Sequence, residues 1–185
     1  MALVRNKPTA LIVHGWRDDP HIGWLGWIAE QLEVRGYKVL APRMDSGAKP
    51  LLKSWQETLI DLAKDLDDQS IIIAHSLGCF LTLRALEEID SIRLKQVLLV
   101  SGFYDSPHKA TQRFFEPEPM WSKIRIKAQN FICIYSDDDK VVSPNRTRRL
   151  SDKLSARLVL FPGKGHFLGS RGMTTFPELL ELVEA

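Results

Sequence analysis

The sequence predicts an α/β fold: a three-layer, doubly wound sandwich of about six mainly parallel strands with helices on both faces. Two observations predict it. Six short apolar runs recur along the chain, and segments with helical periodicity separate them. The runs are apolar at most positions rather than at alternate ones, which is typical of strands covered on both faces. Right-handed crossovers would then place helices on both sides of the sheet.

The predicted elements follow this alternation from one end of the chain to the other. The predicted strands are Thr9–His14, Lys38–Ala41, Ser70–His75, Gln96–Ser101, Asn130–Ser136 and Arg157–Phe161. The predicted helices carry apolar residues three or four positions apart. They cover Trp24 to Leu32 with Gly36 closing the helix, Leu52 to Leu66, Ser76 to about Ile89, a helix from Pro144 with Ser143 as N-cap, and about Thr175 to Ala185.

The segment from Gly102 to about Gln129 interrupts the alternation. It contains Pro107, Pro117 and Pro119 and is too long for a simple turn. It starts at the carboxyl end of the fourth predicted strand, the edge at which open α/β sheets bind ligands. We therefore expect this segment to border a ligand site.

Length and charge limit the classes of protein that the chain can represent. Its 185 residues predict a single domain over residues 1–185. The net charge of +2 comes from 25 basic and 23 acidic residues. That balance argues against nucleic acid or an anionic membrane surface as partner.

The two cysteines, Cys79 and Cys133, lie inside apolar segments, and the sequence has no metal-ligand spacing. We interpret both as small buried hydrophobic residues and expect neither a metal nor another cofactor. Met1–Pro8 lacks the apolar core of a signal peptide, and no apolar run approaches the roughly 20 residues that span a bilayer. A cytoplasmic location is therefore expected.

The strongest local motif is Ile71–Cys79, which reads as a strand, a tight turn and a helix, with Ser76 at the turn. A nucleophile elbow needs this context, with small residues two positions before and after the serine, here Ala74 and Gly78. Alanine is one methyl group larger than the usual glycine. Such a turn exposes the serine hydroxyl and places the Leu77 N–H at a helix N-terminus, where it can stabilise an oxyanion. The alternative interpretation is a phosphate-binding loop, which would require more glycines or the sequence Gly-Lys-Ser/Thr. Neither is present here, so the motif favours a nucleophile.

A serine nucleophile needs a base and an acid that orients the base. His166 lies in a glycine-rich loop after the last predicted strand and can reach over the carboxyl edge of the sheet. Asp137, Asp138 and Asp139 follow the fifth predicted strand, so the chain order is serine, acid, histidine. Three carboxylates compete for the acid role, and we interpret Asp137 as facing solvent or bonding to the turn backbone.

The loop after the first predicted strand should supply a second oxyanion donor. His14-Gly15-Trp16 occupies that place. We assign the donor role to the Trp16 backbone N–H, with Gly15 allowing close approach of the backbone.

Taken together, these segments resemble the α/β-hydrolase superfamily and, within it, the small serine hydrolases that include the retinoblastoma-binding serine hydrolase and its bacterial relatives. The resemblance spans nearly the full chain. The matching features are His14-Gly15 with Trp24-x-x-Trp27, Ala74–Gly78, the proline-containing segment with Trp121-x-Lys123-Ile124, Ser136–Asp139, and Gly165–Phe167. The resemblance implies a triad of Ser76, Asp139 and His166. Asp138 is the second choice for the acid, because its separation from His166 fits the family pattern less well.

The resemblance also implies a reduced hydrolase fold without a cap domain. Such an open site suits a small or flexible acyl substrate, and the expected activity is carboxylesterase-like hydrolysis of an ester, thioester or amide through an acyl-enzyme. Phe103, Tyr104 and Trp121 are candidates for the substrate pocket, although Trp121 fits equally well as a packing anchor. Two alternatives stay open. One is a protein-binding molecule with little or vestigial catalysis, although the sequence does not itself indicate a protein partner, and the other is an acyltransferase or thioesterase with the same triad.

Overall fold

A six-stranded parallel sheet forms the centre of the structure, a computed structural model that describes residues 7–44, 52–106 and 115–184. The strands are β1 (Thr9–Val13), β2 (Lys38–Leu40), β3 (Ile71–His75), β4 (Leu94–Val100), β5 (Ala128–Tyr135) and β6 (Arg157–Leu160). They lie in the order β2-β1-β3-β4-β5-β6, and every neighbouring pair is parallel. The predicted fold class is therefore confirmed.

In the described part of the chain, six α-helices cover the sheet. They are α1 (Gly23–Val34), α2 (Leu52–Ala63), α3 (Leu77–Glu88), α4 (Trp121–Arg125), α5 (Pro144–Leu154) and α6 (Pro177–Glu184). Helices α1 and α6 bury their apolar residues against one face, whereas α2, α3, α4 and α5 bury theirs against the other. The central strands β1 and β3 are buried at every position, as their uninterrupted apolar sequences predict.

The six predicted strands all occur, and their ends differ from the predicted ends by two residues or fewer. The short helix α4 was not predicted, because five residues are too few to display a helical period. It lies within the segment that interrupts the strand–helix alternation. Pro107, which belongs to the same segment, lies outside the described residues, as do Met1–Asn6 and Ala185.

Among the described helices, none combines the length and the apolar character needed to cross a membrane.

The connections of β1 and β3 diverge at the carboxyl edge of the sheet. From β1 the chain passes through α1 to β2 on one side, and from β3 it passes through α3 to β4 on the other side. Divergent connections leave a crevice between the carboxyl ends of two neighbouring strands, which is where open α/β sheets bind ligands. The topology therefore directs attention to the residues that follow β1 and β3.

Helix α3 starts in close contact with the end of β1, and Gly78 makes this contact possible. A Cβ atom at Gly78 would lie 2.6 Å from the His14 carbonyl oxygen and 2.7 Å from that of Val13. Both obstacles are backbone atoms, which cannot rotate away. A Cβ atom at Gly102 would lie 2.8 Å from Leu150 Cδ2, the end of a side chain, which can move.

We expect Gly78→Ala to lower the free energy of unfolding by about 3 kcal/mol, despite the higher helix propensity of alanine. Gly102→Ala, the matched control, should cost less than about half of that, because a side chain rather than the backbone must shift. Chemical denaturation of both variants measures the difference. Equal losses would contradict the assignment of Gly78 to a backbone contact.

Candidate active site

Ser76 occupies a sharp turn between β3 and α3 with a backbone conformation that is rare for a non-glycine residue. Its φ is 53° and its ψ is −120°. The turn is held from both sides, since the Ser76 N–H donates to the Val100 carbonyl at 2.9 Å and the Ser76 carbonyl accepts from Cys79 N–H at 3.0 Å. Strained residues persist where their surroundings determine them in this way, and they concentrate at functional sites.

A hydrogen-bonded chain joins Ser76 to a histidine and a carboxylate from two other loops. Ser76 Oγ lies 3.0 Å from His166 Nε2, and His166 Nδ1 lies 2.8 Å from Asp139 Oδ2. The carboxylate can only accept, so the proton of the neutral imidazole belongs on Nδ1. His166 Nε2 is then free to accept from the Ser76 hydroxyl. The structure thus brings together Ser76, His166 and Asp139, and it is Asp139 rather than Asp138 that contacts the imidazole.

Every oxygen of the Asp139 carboxylate is engaged. Oδ1 accepts from the backbone N–H groups of Val141 at 2.8 Å and Val142 at 2.9 Å. Oδ2 accepts from Ser101 Oγ at 2.8 Å in addition to His166. Burial acts to raise the pKa of Asp139, but the His166 hydrogen bond and charge and the two backbone donors outweigh it, and the pKa is lowered. Asp139 therefore stays ionised in a largely buried position.

His166 is itself buried, with 6% of its surface exposed. Burial lowers its pKa, Asp139 acts in the opposite direction, and the net shift is downward from the ordinary value of a histidine. Its imidazole is consequently neutral at neutral pH. A neutral imidazole beside a serine hydroxyl can act as a general base.

The other two aspartates hold the loop that carries His166. Asp138 Oδ1 accepts from Gly165 N–H at 2.8 Å, and Asp137 Oδ1 accepts from Gly163 N–H at 3.0 Å. Between them, Ser136 Oγ accepts from Lys164 N–H at 2.9 Å. Asp137 was expected to face solvent or to bond to the turn backbone. It is exposed, and the backbone N–H that it binds belongs to Gly163 in the histidine loop. The three adjacent carboxylates thus have different roles, because Asp139 binds the imidazole whereas Asp137 and Asp138 bind the backbone of the loop that carries it.

Ser101 was not identified as a functional residue from the sequence. It follows β4, has φ 49°, and donates from its hydroxyl to Asp139. It is also buried, with 1% exposure. A polar residue at the end of an apolar run was a signal, but only the adjacency of β4 and β5 reveals its partner.

The loop after β1 lies against the serine. A Cβ atom at Gly15 would be 3.2 Å from Ser76 Cβ, so the Gly15 backbone passes directly beside the nucleophile candidate. The next residue, Trp16, is 44% exposed, and the guanidinium of Arg17 lies over its ring at 4.7 Å. Leu77 is the first residue of α3 and is buried. Gly15 and Ser76 thus lie side by side in space. Trp16 and Leu77, the residues predicted to supply the oxyanion donors, each follow one of them directly in the chain.

The three predicted pocket residues are involved in aromatic packing. Phe103 is buried, and its ring centroid lies 5.7 Å from that of Phe115. Tyr104 and Trp121 pack edge to face at 5.0 Å, and the Trp121 Nε1–H donates to Glu118 Oε1 at 2.8 Å. These contacts fit the packing role considered for Trp121, and a pocket role for the three residues stays a prediction.

Cys79 and Cys133 are buried free thiols, and burial raises the pKa of both. Within residues 7–44, 52–106 and 115–184, no group of three or more His, Cys, Asp or Glu side chains is placed to hold a metal ion.

Known proteins resemble this chain over almost its whole length. The serine hydrolase family model matches residues 10–185. YdeN of Bacillus subtilis is 30% identical over 93% of this chain and 92% of its own, and its crystal structure matches with a TM-score of 0.89 over 96% and 97% of the two chains. The serine hydrolase RBBP9 of Rattus norvegicus is 27% identical over 97% of this chain and 96% of its own.

A YdeN-like hydrolase structure from Pectobacterium atrosepticum has the same fold, with a TM-score of 0.67 at 19% identity over 96% and 90% of the two chains. The family model, the relatives and the fold agree with the resemblance that the sequence motifs carry. The chain belongs to the serine hydrolase family of α/β-hydrolases.

Proposed function

We propose that this protein hydrolyses a small ester, thioester or amide through an acyl-enzyme on Ser76. The observation that carries the proposal is the continuous hydrogen-bonded chain from Ser76 Oγ through His166 to Asp139, at 3.0 and 2.8 Å. The first distance is within hydrogen-bond reach of a nucleophile and its base, and the second is within reach of a base and the carboxylate that orients it. The family assignment supports hydrolysis as the type of reaction.

The proposed mechanism begins when His166 Nε2 accepts the Ser76 proton as Oγ attacks the substrate carbonyl. Asp139 keeps the other imidazole proton on Nδ1 and stabilises the imidazolium that forms. The backbone N–H groups of Leu77 and Trp16 bind the oxyanion. His166 then gives its proton to the leaving group, and the same steps with water release the acyl group.

The helix that begins at Leu77 supports the oxyanion role of that residue, because N–H groups at a helix N-terminus point away from the helix and carry partial positive charge. Gly15 supports the role of Trp16, because the absence of a side chain lets that backbone approach Ser76. Carboxylesterase-like action on a small acyl substrate is our proposal for the physiological reaction class.

Ser76→Ala should abolish labelling by a fluorophosphonate probe and reduce hydrolysis of p-nitrophenyl acetate by about 10⁴- to 10⁶-fold, because it removes the hydroxyl that forms the acyl-enzyme. Ser54→Ala, at an exposed serine of α2, is the matched control and should label like the wild type. Labelling is read by mass spectrometry. A folded wild-type protein that fails to label would argue for a binding protein with vestigial catalysis.

Asp139→Asn should reduce kcat by about 10⁴-fold, because an amide can favour the wrong imidazole tautomer. Asp138→Asn should cost far less, since Asp138 binds the Ser136 hydroxyl and the Gly165 N–H and not the imidazole. Steady-state kinetics of the two isosteric variants makes the comparison. A greater loss in Asp138→Asn would reassign the acid.

The pH dependence of kcat/KM should show an acidic limb with its midpoint below the pKa of a free histidine, about 6.5. Protonated His166 cannot accept the Ser76 proton, so activity is lost as pH falls through its pKa. Because burial lowers that pKa, activity should persist at pH values where a free histidine is largely protonated. Initial rates measured across the acidic range test this, and a midpoint above that of free histidine would contradict it.

A further inference from the structure

A second histidine, His75, is buried directly beside the Ser76–His166–Asp139 chain and has no role in the proposed reaction. It precedes Ser76 in sequence and is 1% exposed. Its ring centroid lies 5.0 Å from that of His166. His75 Nε2 is 2.9 Å from the His166 carbonyl oxygen. A carbonyl oxygen can only accept, so His75 Nε2 carries a proton and donates it to the His166 backbone.

The other nitrogen of the ring faces a carboxylate. His75 Nδ1 lies 3.3 Å from Asp18 Oδ2, and within the described part of the chain neither of these two buried atoms has a hydrogen-bond partner. The two atoms therefore lie close together without an aligned hydrogen bond between them. Burial acts to raise the pKa of Asp18, but the facing His75 outweighs it and the pKa is lowered, so Asp18 is ionised. Both nitrogens of His75 thus face acceptor oxygens, which fixes the orientation of the ring.

A tryptophan completes the contact with the loop of His166. The Trp24 Nε1–H donates to the Phe167 carbonyl at 2.6 Å, so two consecutive carbonyl groups of this loop are bound by ring N–H groups. The Trp24 ring packs edge to face against His75 with centroids 5.7 Å apart. The ring N–H groups thus hold the backbone of the loop at His166 and at the residue after it. The Asp138 carboxylate holds the residue before it, Gly165.

We propose that His75, oriented by Asp18, is a positioning residue that holds the His166 backbone so that the imidazole stays aligned with Ser76. This inference rests on the proposed acyl transfer at Ser76. His75 is adjacent to the nucleophile, Asp18 lies in the loop that carries Trp16, and His166 carries the base. One buried ring therefore joins the three loops whose relative positions determine the reaction geometry.

Substitutions at His75 distinguish two roles of its side chain, namely donation of a hydrogen bond to the His166 carbonyl and filling of the space beside it. His75→Phe keeps a ring but removes the donor, and His75→Gln keeps an N–H that can reach the same carbonyl. Leu59→Ala, in a buried position of α2 on the opposite face of the sheet from α1, is the control for lost stability alone. Because misplacement of a reacting group by about 1 Å can cost about 100-fold in rate, we expect a 10- to 100-fold lower kcat for His75→Phe with little change in KM.

The same variants are tested by steady-state hydrolysis of p-nitrophenyl acetate and by the downfield proton resonance of the His166 Nδ1–H···Asp139 hydrogen bond. His75→Gln should recover most of kcat and the wild-type resonance, and Leu59→Ala should change neither. His75→Phe should shift or broaden the resonance. If His75→Phe does not fold, Asp18→Asn leaves the ring in place, and we expect it to shift the same resonance and lower kcat.

A wild-type kcat and an unmoved resonance in His75→Phe would overturn the inference, as would an equal loss of kcat in Leu59→Ala. Failure of His75→Gln to recover kcat would also overturn it, because the donor would then be irrelevant. If the wild type hydrolyses no ester, thioester or amide and does not react with the fluorophosphonate probe, the proposed function fails. The resonance still reports the alignment of His166 in that case, so the two failures are distinguishable.

Discussion

The close approach of α3 to the end of β1 is the constraint on which the site depends. Gly78 lies against the carbonyl groups of Val13 and His14, and this contact fixes where the helix begins. The chain must then turn within one residue from β3 into α3, and Ser76 takes that turn at φ 53°. The strain of roughly 1–3 kcal/mol is offset by the packing around the turn. As a result, the Ser76 hydroxyl has a fixed orientation at the carboxyl edge of the sheet.

The polar groups of the site are buried, and their arrangement compensates for the cost of burial. Removing a carboxylate from water is unfavourable unless hydrogen bonds and an opposite charge replace the lost solvation. Asp139 receives backbone donors from Val141 and Val142, the Ser101 hydroxyl and the His166 imidazole. Such a fully satisfied carboxylate restricts His166 to one tautomer and one orientation.

The fold could be predicted from the sequence because the apolar pattern that defines each strand or helix lies within a short stretch of the chain. An uninterrupted apolar run such as Ile71–Ala74 has no exposed face and therefore belongs inside a parallel sheet. The elbow was also visible, because small residues at fixed distances from Ser76 are a steric requirement of the turn. Helix α4 could not be predicted, because its five residues are too few to display a helical repeat of apolar positions. The sequence did not reveal that Asp137 binds Gly163, since the histidine loop approaches it from far along the chain.

The amino-acid sequence by itself determined the parallel sheet and the turn at Ser76, because each depends on side-chain size or polarity at short spacing. The chain order of serine, acid and histidine is likewise a property of the sequence alone. Only the tertiary structure decided which of three adjacent aspartates contacts His166, and that Ser101 contacts the same carboxylate. It also placed His75 between Asp18 and the His166 backbone. Those choices depend on how loops from separate strands meet at one edge of the sheet, and short sequence spacing carries no information about distances between them.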